Sequence, residues 1–158
     1  MNKSIVQMLW IFLVAGLAQS AIALEAKQIC VTGAQANLRV GPGINHRISW
    51  EVKRYMPLVR VSRQGDWIKV RDVDGDIHWV FQKLVSRKVR CVTVKNSRAR
   101  IRTKPSTKSK TWRTVEKYTS FKLLKFTKEW VKVEFLIKRK RKVFKRTGWI
   151  FRKLIWPS

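Results

Sequence analysis

The chain has 158 residues, with 36 Lys and Arg against 9 Asp and Glu for a formal net charge of +27, and it holds two Cys, two His and eight Trp. At 45% hydrophobic and 11% aromatic it is too apolar for a disordered basic tail, and it has only one long apolar run where a multi-span membrane protein needs several. Two Cys are too few for a disulfide-dense scaffold, and so few His and carboxylates leave little for a metal or acid–base centre. No catalytic residue, metal ligand, cofactor or small-molecule substrate is therefore assigned.

In chain order, residues 1–23 read as a signal peptide. Lys3 supplies the positive start, residues 5–18 the apolar core, and Ala21-Ile22-Ala23 the small residues that a signal peptidase reads. Cleavage after Ala23 is expected, with export to the periplasm or beyond. The rival is an uncleaved anchor, since residues 5–24 reach the roughly 20 needed to cross a bilayer, although Gln7, Gln19 and Ser20 interrupt them. Cys30 follows Lys27-Gln28-Ile29 rather than small residues, unlike a lipid-modified N-terminal cysteine.

The rest of the chain repeats itself. An offset of 63 superposes Arg39 on Arg102, Pro42 on Pro105, Val52 on Val115, Tyr55 on Tyr118, Trp67 on Trp130, Lys69 on Lys132 and Val70 on Val133. An offset of 70 then superposes Trp79-Val80-Phe81-Gln82-Lys83-Leu84-Val85 on Trp149-Ile150-Phe151-Arg152-Lys153-Leu154-Ile155. The second copy thus carries seven extra residues between its last two matched Trp.

Each copy reads as short strands. Gly41-Pro42-Gly43 is a turn, with Lys104-Pro105-Ser106 in its place in the second copy. In Trp67-Ile68-Lys69-Val70-Arg71, Ile68 and Val70 share one face and Trp67, Lys69 and Arg71 the other; likewise Val131, Val133 and Phe135 oppose Trp130, Lys132 and Glu134. Asp74-Gly75-Asp76 signals a hairpin. With no capped helical pattern in sight, the expectation is all-β: two tandem small barrels, residues 27–86 and 91–156, whose closure protects strand edges.

Asn37-Leu38-Arg39-Val40-Gly41-Pro42-Gly43, Gly65-Asp66-Trp67-Ile68-Lys69-Val70-Arg71, Asp74-Gly75 and His78-Trp79-Val80 resemble the successive signatures of bacterial SH3-like (SH3b) domains. His78 stands where the family usually has Gly, and the second copy restores it as Gly148-Trp149-Ile150. The second copy departs elsewhere, with Lys104 for the turn Gly and a basic insertion for the Asp-Gly hairpin. The tandem resembles small exported two-repeat proteins of Gram-negative bacteria, which implies a non-catalytic binding or targeting module with no agreed ligand.

Cys30-Val31-Thr32 and Cys91-Val92-Thr93 open the two copies alike. In an SH3-like barrel the first strand commonly lies beside the last, which implies that Cys30 and Cys91 come close enough for a disulfide in an oxidising compartment. Two buried free thiols are the other reading. His46 is read as a loop residue and His78 as a strand residue, and neither is given a catalytic partnership with a Cys.

Charge is uneven. Residues 29–86 carry 9 basic and 5 acidic residues, whereas residues 87–158 carry 25 and 3. The run Lys138, Arg139, Lys140, Arg141 and Lys142, with Lys145 and Arg146, falls in the insertion and is expected to tip a long hairpin; Arg98, Arg100, Arg102, Lys104, Lys108 and Lys110 continue the theme. This surplus exceeds what solubility needs and points to an anion-binding surface. The expected ligand is an anionic cell-envelope polymer, with exposed Trp67 and Trp130 stacking beside Lys69 and Lys132. A periplasmic protein in the SH3-like groove is the alternative. Nucleic acid is disfavoured by export, and membrane contact is at most peripheral once the signal is cleaved.

Overall fold

The computed structural model describes residues 27–158, so the expected signal peptide lies outside the described residues. The first seven strands are Gln28–Val31 (β1), Gln35–Arg39 (β2), Ile48–Lys53 (β3), Pro57–Gln64 (β4), Trp67–Arg71 (β5), Ile77–Phe81 (β6) and Val85–Ser86 (β7). The second seven are Cys91–Val94 (β8), Arg98–Arg102 (β9), Thr111–Glu116 (β10), Ser120–Phe126 (β11), Trp130–Arg139 (β12), Lys142–Phe151 (β13) and Ile155–Trp156 (β14). A single 3-10 turn, Gln82–Leu84 or Arg152–Leu154, precedes the last strand of each set. The protein is all-β and consists of two tandem barrels.

The two sheets have one topology. Their strand orders are β3-β2-β6-β5-β4-β1-β7 and β10-β9-β13-β12-β11-β8-β14, all neighbours antiparallel where paired. The first strand pairs with the last in each, Cys30 opposite Ser86 and Ile155 opposite Val94. Closure is partial: β3 and β10 end their sheets, and β2 meets β6 through one pair, Arg39 opposite Trp79, as β9 meets β13 through Arg102 opposite Trp149.

Alternation builds both cores. β2 turns Ala36 and Leu38 inward and β9 turns Ala99 and Ile101 inward. Leu38, Leu58, Val70 and Val80 are fully buried in the first barrel, as are Val92, Val131, Val133 and Ile150 in the second. Each such side chain stabilises the fold by about 1.5–3 kcal/mol relative to exposure. Tyr55 and Tyr118 sit at equivalent tight turns with φ of +71° and +66°, and their amides donate to the Val31 and Val94 carbonyls.

The seven extra residues extend one hairpin. β5 and β6 have five residues each, while β12 and β13 have ten each and pair from Trp130–Phe151 out to Arg139–Lys142. Lys140 and Arg141 form the turn, with Lys140 at φ +54°. In the first barrel residues 72–76 occupy this place, and Gly75 takes φ +97°.

The barrels are joined by more than chain continuity. A Cys30–Cys91 disulfide links β1 to β8 with Cα atoms 6.0 Å apart, and Gln28 Nε2 donates to the Cys91 carbonyl at 2.7 Å. On another side the loop after β5 reaches the second barrel: Lys117 Nζ and Tyr118 Oη donate to the two Asp74 carboxylate oxygens at 2.8 and 2.6 Å. The Tyr118 ring stands edge-on to Trp50 at 5.0 Å. The Lys117 ammonium, then the Tyr118 hydroxyl, hold the Asp74 carboxyl below the usual carboxylate value, and Asp74 in turn raises Lys117.

Candidate ligand-binding surfaces

Each barrel carries a groove on the outer side of its sheet. In the first, β2 presents Gln35, Asn37 and Arg39 opposite a floor of Trp67, Phe81 and Leu84, with Ile44 from the β2–β3 loop at one end. Trp67 and Phe81 are cross-strand partners with ring centroids 5.6 Å apart. The cavity is about 380 Å³.

The second groove is the same construction. Trp130 and Phe151 form the floor at 5.3 Å with Leu154 beside them, and Thr107 replaces Ile44. Arg39 and Arg102 do identical work: their Nη1 atoms donate to the carbonyls of His46 at 2.6 Å and Ser109 at 2.7 Å and so hold the loop. The change is in the other two positions. Where the first groove has Gln35 and Asn37, the second has Arg98 and Arg100, in a cavity of about 450 Å³. Arg98 and Arg100 are exposed, and Asn37 Oδ1 is buried without a hydrogen-bond partner among the described residues.

A third concavity, of about 530 Å³, lies between the barrels, with Lys53, Arg54 and Tyr55 on one wall and Arg113, Glu116 and Phe135 on the other.

These positions correct the expected roles of several residues. Trp130 is not exposed: it retains 7% of its surface, with the Phe151 ring packed against it, and Trp67 is half-buried. Lys69 and Lys132 share a strand face with Trp67 and Trp130, two residues along, but their ammonium groups lie over other tryptophans. The strand register places them opposite Trp79 and Trp149, with Nζ 5.9 and 5.8 Å from those ring centroids. The basic run does tip the long hairpin, where Lys140, Arg141, Lys142, Lys145 and Arg146 are exposed. It is not a one-sided patch, since Lys145 and Arg146 are consecutive in a strand and face opposite ways. Val143 and Phe144 are exposed between these cations; no periodicity in so short and basic a run had marked them.

The structure also gathers residues the sequence left apart. His78 Nδ1 meets Ser49 Oγ at 2.7 Å, and His78 Nε2 meets Asp72 Oδ2 at 3.2 Å. Asp72 Oδ1 accepts from the amides of Asp74 and Asp76, both at 2.9 Å. Nε2 pairs with the Asp72 carboxylate, and Nδ1 pairs with the Ser49 hydroxyl, a group able to donate or accept. The arrangement is buried at His78 and Asp72 and satisfies both ring nitrogens and both carboxylate oxygens, so it anchors the loop that carries Asp74. His46 is in the β2–β3 loop, its ring lying where a Cβ on Gly41 would fall.

Residues 32–87 match a family profile described as bacterial SH3 domain, and residues 97–155 match a second profile of the same description. The chain belongs to the bacterial SH3 domain family and holds two such domains in tandem. No curated protein sequence matches it significantly. Among solved structures it is similar to NlpC2 from Trichomonas vaginalis, at 14% identity and a TM-score of 0.34, over 84% of this chain and 48% of that one. NlpC1 from the same organism aligns at 12% identity and 0.35, over 84% and 46%. An NlpC/P60 family protein from Bacillus cereus ATCC 10987 aligns at 15% and 0.36, over 81% and 55%. The chain spans about half the length of these proteins.

Proposed function

We propose that the protein is a non-catalytic, exported binding or targeting protein of the bacterial cell envelope. Its modules are residues 27–86 and 91–156, and it docks on anionic polymers, among them peptidoglycan, lipopolysaccharide or anionic lipid, through the second. The observation that carries this reading is the charge of residues 87–158, 25 basic against 3 acidic, on a barrel of the same topology as a nearly balanced one. A shared scaffold with one repeat so altered supports an added role for that repeat. Lys140, Arg141, Lys142, Lys145 and Arg146 offer point charge and bidentate contacts to phosphate or carboxylate. Val143 and Phe144 suit a headgroup boundary, where apolar contact adds to charge without spanning the bilayer. Export rests on the signal-like residues 1–23 and agrees with the disulfide, which persists in an oxidising compartment.

A second reading, an adaptor that receives a periplasmic protein, is favoured by the aromatic-floored grooves, which have the apolar, polar-edged character of binding sites. A pull-down separates the two. The mature protein is mixed with purified sacculi, lipopolysaccharide vesicles and nucleic acid at low and high salt, beside a variant with Lys138, Arg139, Lys140, Arg141 and Lys142 changed to Gln. The envelope reading predicts retention on sacculi or vesicles that falls with salt and falls in the variant. Equal retention of both proteins on every polymer would refute it.

A further inference from the structure

We propose that the groove of the second repeat is an anion site whose occupant is a short acidic peptide segment, bound by Arg98 and Arg100, while the equivalent groove of the first repeat takes a neutral one. This rests on the reading that the second repeat meets an anionic ligand, and it names the site and the ligand class.

The two grooves form an internal comparison. Floor, loop brace and strand are shared, so the differences isolate what is recognised. At the two free positions on β2, amides stand in the first groove, and on β9 guanidinium groups replace them. Gln35 and Asn37 are neutral amides, and Asn37 Oδ1 is buried and has no partner among the described residues, so the first groove presents no charge here. Arginine offers only donors and positive charge. The same place in the fold has therefore changed from neutral amides to exposed cationic donors, which suit an anionic acceptor.

The arginines are available. Arg102 is committed to the Ser109 carbonyl, but neither Arg98 nor Arg100 forms an ion pair among the described residues. Glu116 stands across the β9–β10 ladder from Arg98, and no ion pair joins them. No aspartate occurs in this repeat.

Geometry selects a peptide over a single phosphate. Arg98 and Arg100 are alternate residues on one face of a strand, about 6.5–7 Å apart along it. Alternate carboxylates on an extended peptide repeat at the same spacing, so two ligand charges meet two guanidinium forks in register. Trp130, Phe151 and Leu154 then floor the groove against the intervening apolar atoms. A lone headgroup phosphate uses one fork and leaves the floor idle.

The test is fluorescence anisotropy of the full mature chain with a labelled peptide bearing Asp at alternate positions, its Asn counterpart, and vesicles containing phosphatidylglycerol as competitor. The groove variant is Arg98→Gln with Arg100→Asn, the residues of the first repeat at those positions, so the barrel accommodates them; an unchanged unfolding midpoint checks this. The acidic peptide is expected to bind wild type about tenfold or more tighter than the Asn peptide, and the groove variant to lose that margin. Changing Lys140, Arg141 and Lys142 to Gln is expected to weaken peptide binding less than about threefold, as for screened distant charges. The reciprocal pair Gln35→Arg and Asn37→Arg is expected to raise the stoichiometry from one peptide to two.

Unchanged affinity in the groove variant overturns the proposal, as does a loss that follows the hairpin charges instead. Vesicle binding that depends on Arg98 and Arg100 while peptide binding does not would make the occupant a phosphate headgroup, and also overturns it. Failure of wild type on sacculi and vesicles, with peptide binding still sensitive to the groove variant, refutes the envelope reading alone.

Discussion

Three linked positions explain how His78 is accommodated in the first barrel while its equivalent must be glycine in the second. In the first barrel Ser49, His78 and Asp72 form a hydrogen-bonded cluster; at the equivalent positions the second has Trp112, Gly148 and Phe135, and there Trp112 packs on Phe135 at 4.9 Å. A Cβ on Gly148 would land on Ile101 Cγ2, an atom that the unbranched Cβ of Leu38 does not supply in the first barrel. Gly148→Ala should therefore lower stability by about 1–3 kcal/mol in denaturant unfolding, and Ile101→Leu should recover part of that loss in the double variant. The glycine of Gly41 is likewise about room, for the His46 ring; Lys104 at the same place is matched by Ser109, whose hydroxyl bonds the Lys104 carbonyl at 2.9 Å. The sequence shows that His replaces Gly at position 78. It does not show why, because the compensating residues lie 29 and 6 positions away.

Asp74 gives a residue-scale pH dependence. Its carboxyl is held below the ordinary value by Lys117 and Tyr118. A depressed folded value means that the contact stabilises the folded chain above the unfolded carboxylate pKa of about 3.9 and is lost as pH falls through the lower folded value. The shift of the Tyr118 ring protons in NMR should stay flat down to about pH 4 and move below it. In Asp74→Asn that acid transition should vanish; a transition retained in the variant would place its source elsewhere.

Among the elements, the β12–β13 hairpin was the most legible. Two offsets, 63 and 70, locate an insertion of seven residues, which lengthens the ladder from five pairs to ten while the turn shortens. What each strand faces at the tip was not legible, because a run of cations gives no apolar period to read. The fully buried rungs end at Phe135 and Ile137 packs half-buried against the core, whereas Leu136, Val143 and Phe144 are exposed. The outer rungs thus rest on hydrogen bonds that face solvent, and amide exchange at residues 142–145 should be faster than at residues 130–135 by tenfold or more, on the order of a local opening about 1.4 kcal/mol easier. Equal protection along the hairpin would mean that its tip is packed. The grooves show the opposite balance: the strands were readable, but the meeting of β2 with the β5–β6 floor depends on the curl of the sheet, so Gln35, Asn37 and Phe81 were not singled out.

Over the whole molecule, the disulfide and the Asp74 contact tie the barrels at separate places, and the pair carries two non-equivalent grooves. The Cys30–Cys91 loop spans 61 residues, for which chain entropy gives about 4 kcal/mol. Cys30→Ser with Cys91→Ser should lose about 2–4 kcal/mol in denaturant unfolding. The like opening words of the two copies, with the expected adjacency of first and last strands, pointed to this pairing but left two free thiols open, and the structure holds the bond. The Asp74 contact was not readable, since nothing local in the Asp72-Val73-Asp74-Gly75 segment tells which surface it meets.

The central claim is that anionic docking belongs to the second repeat. Its most direct test is the salt dependence of binding to sacculi and to anionic vesicles for two variants with equal charge removed. One changes Arg60, Arg63, Lys69, Arg71 and Lys83 of the first repeat to Gln; the other changes Lys140, Arg141, Lys142, Lys145 and Arg146 of the second. The account predicts that the first variant keeps the affinity and salt slope of wild type, while the second loses affinity at low salt and has a shallower slope. Equal losses in the two variants would make binding a matter of net charge alone, and contradict it.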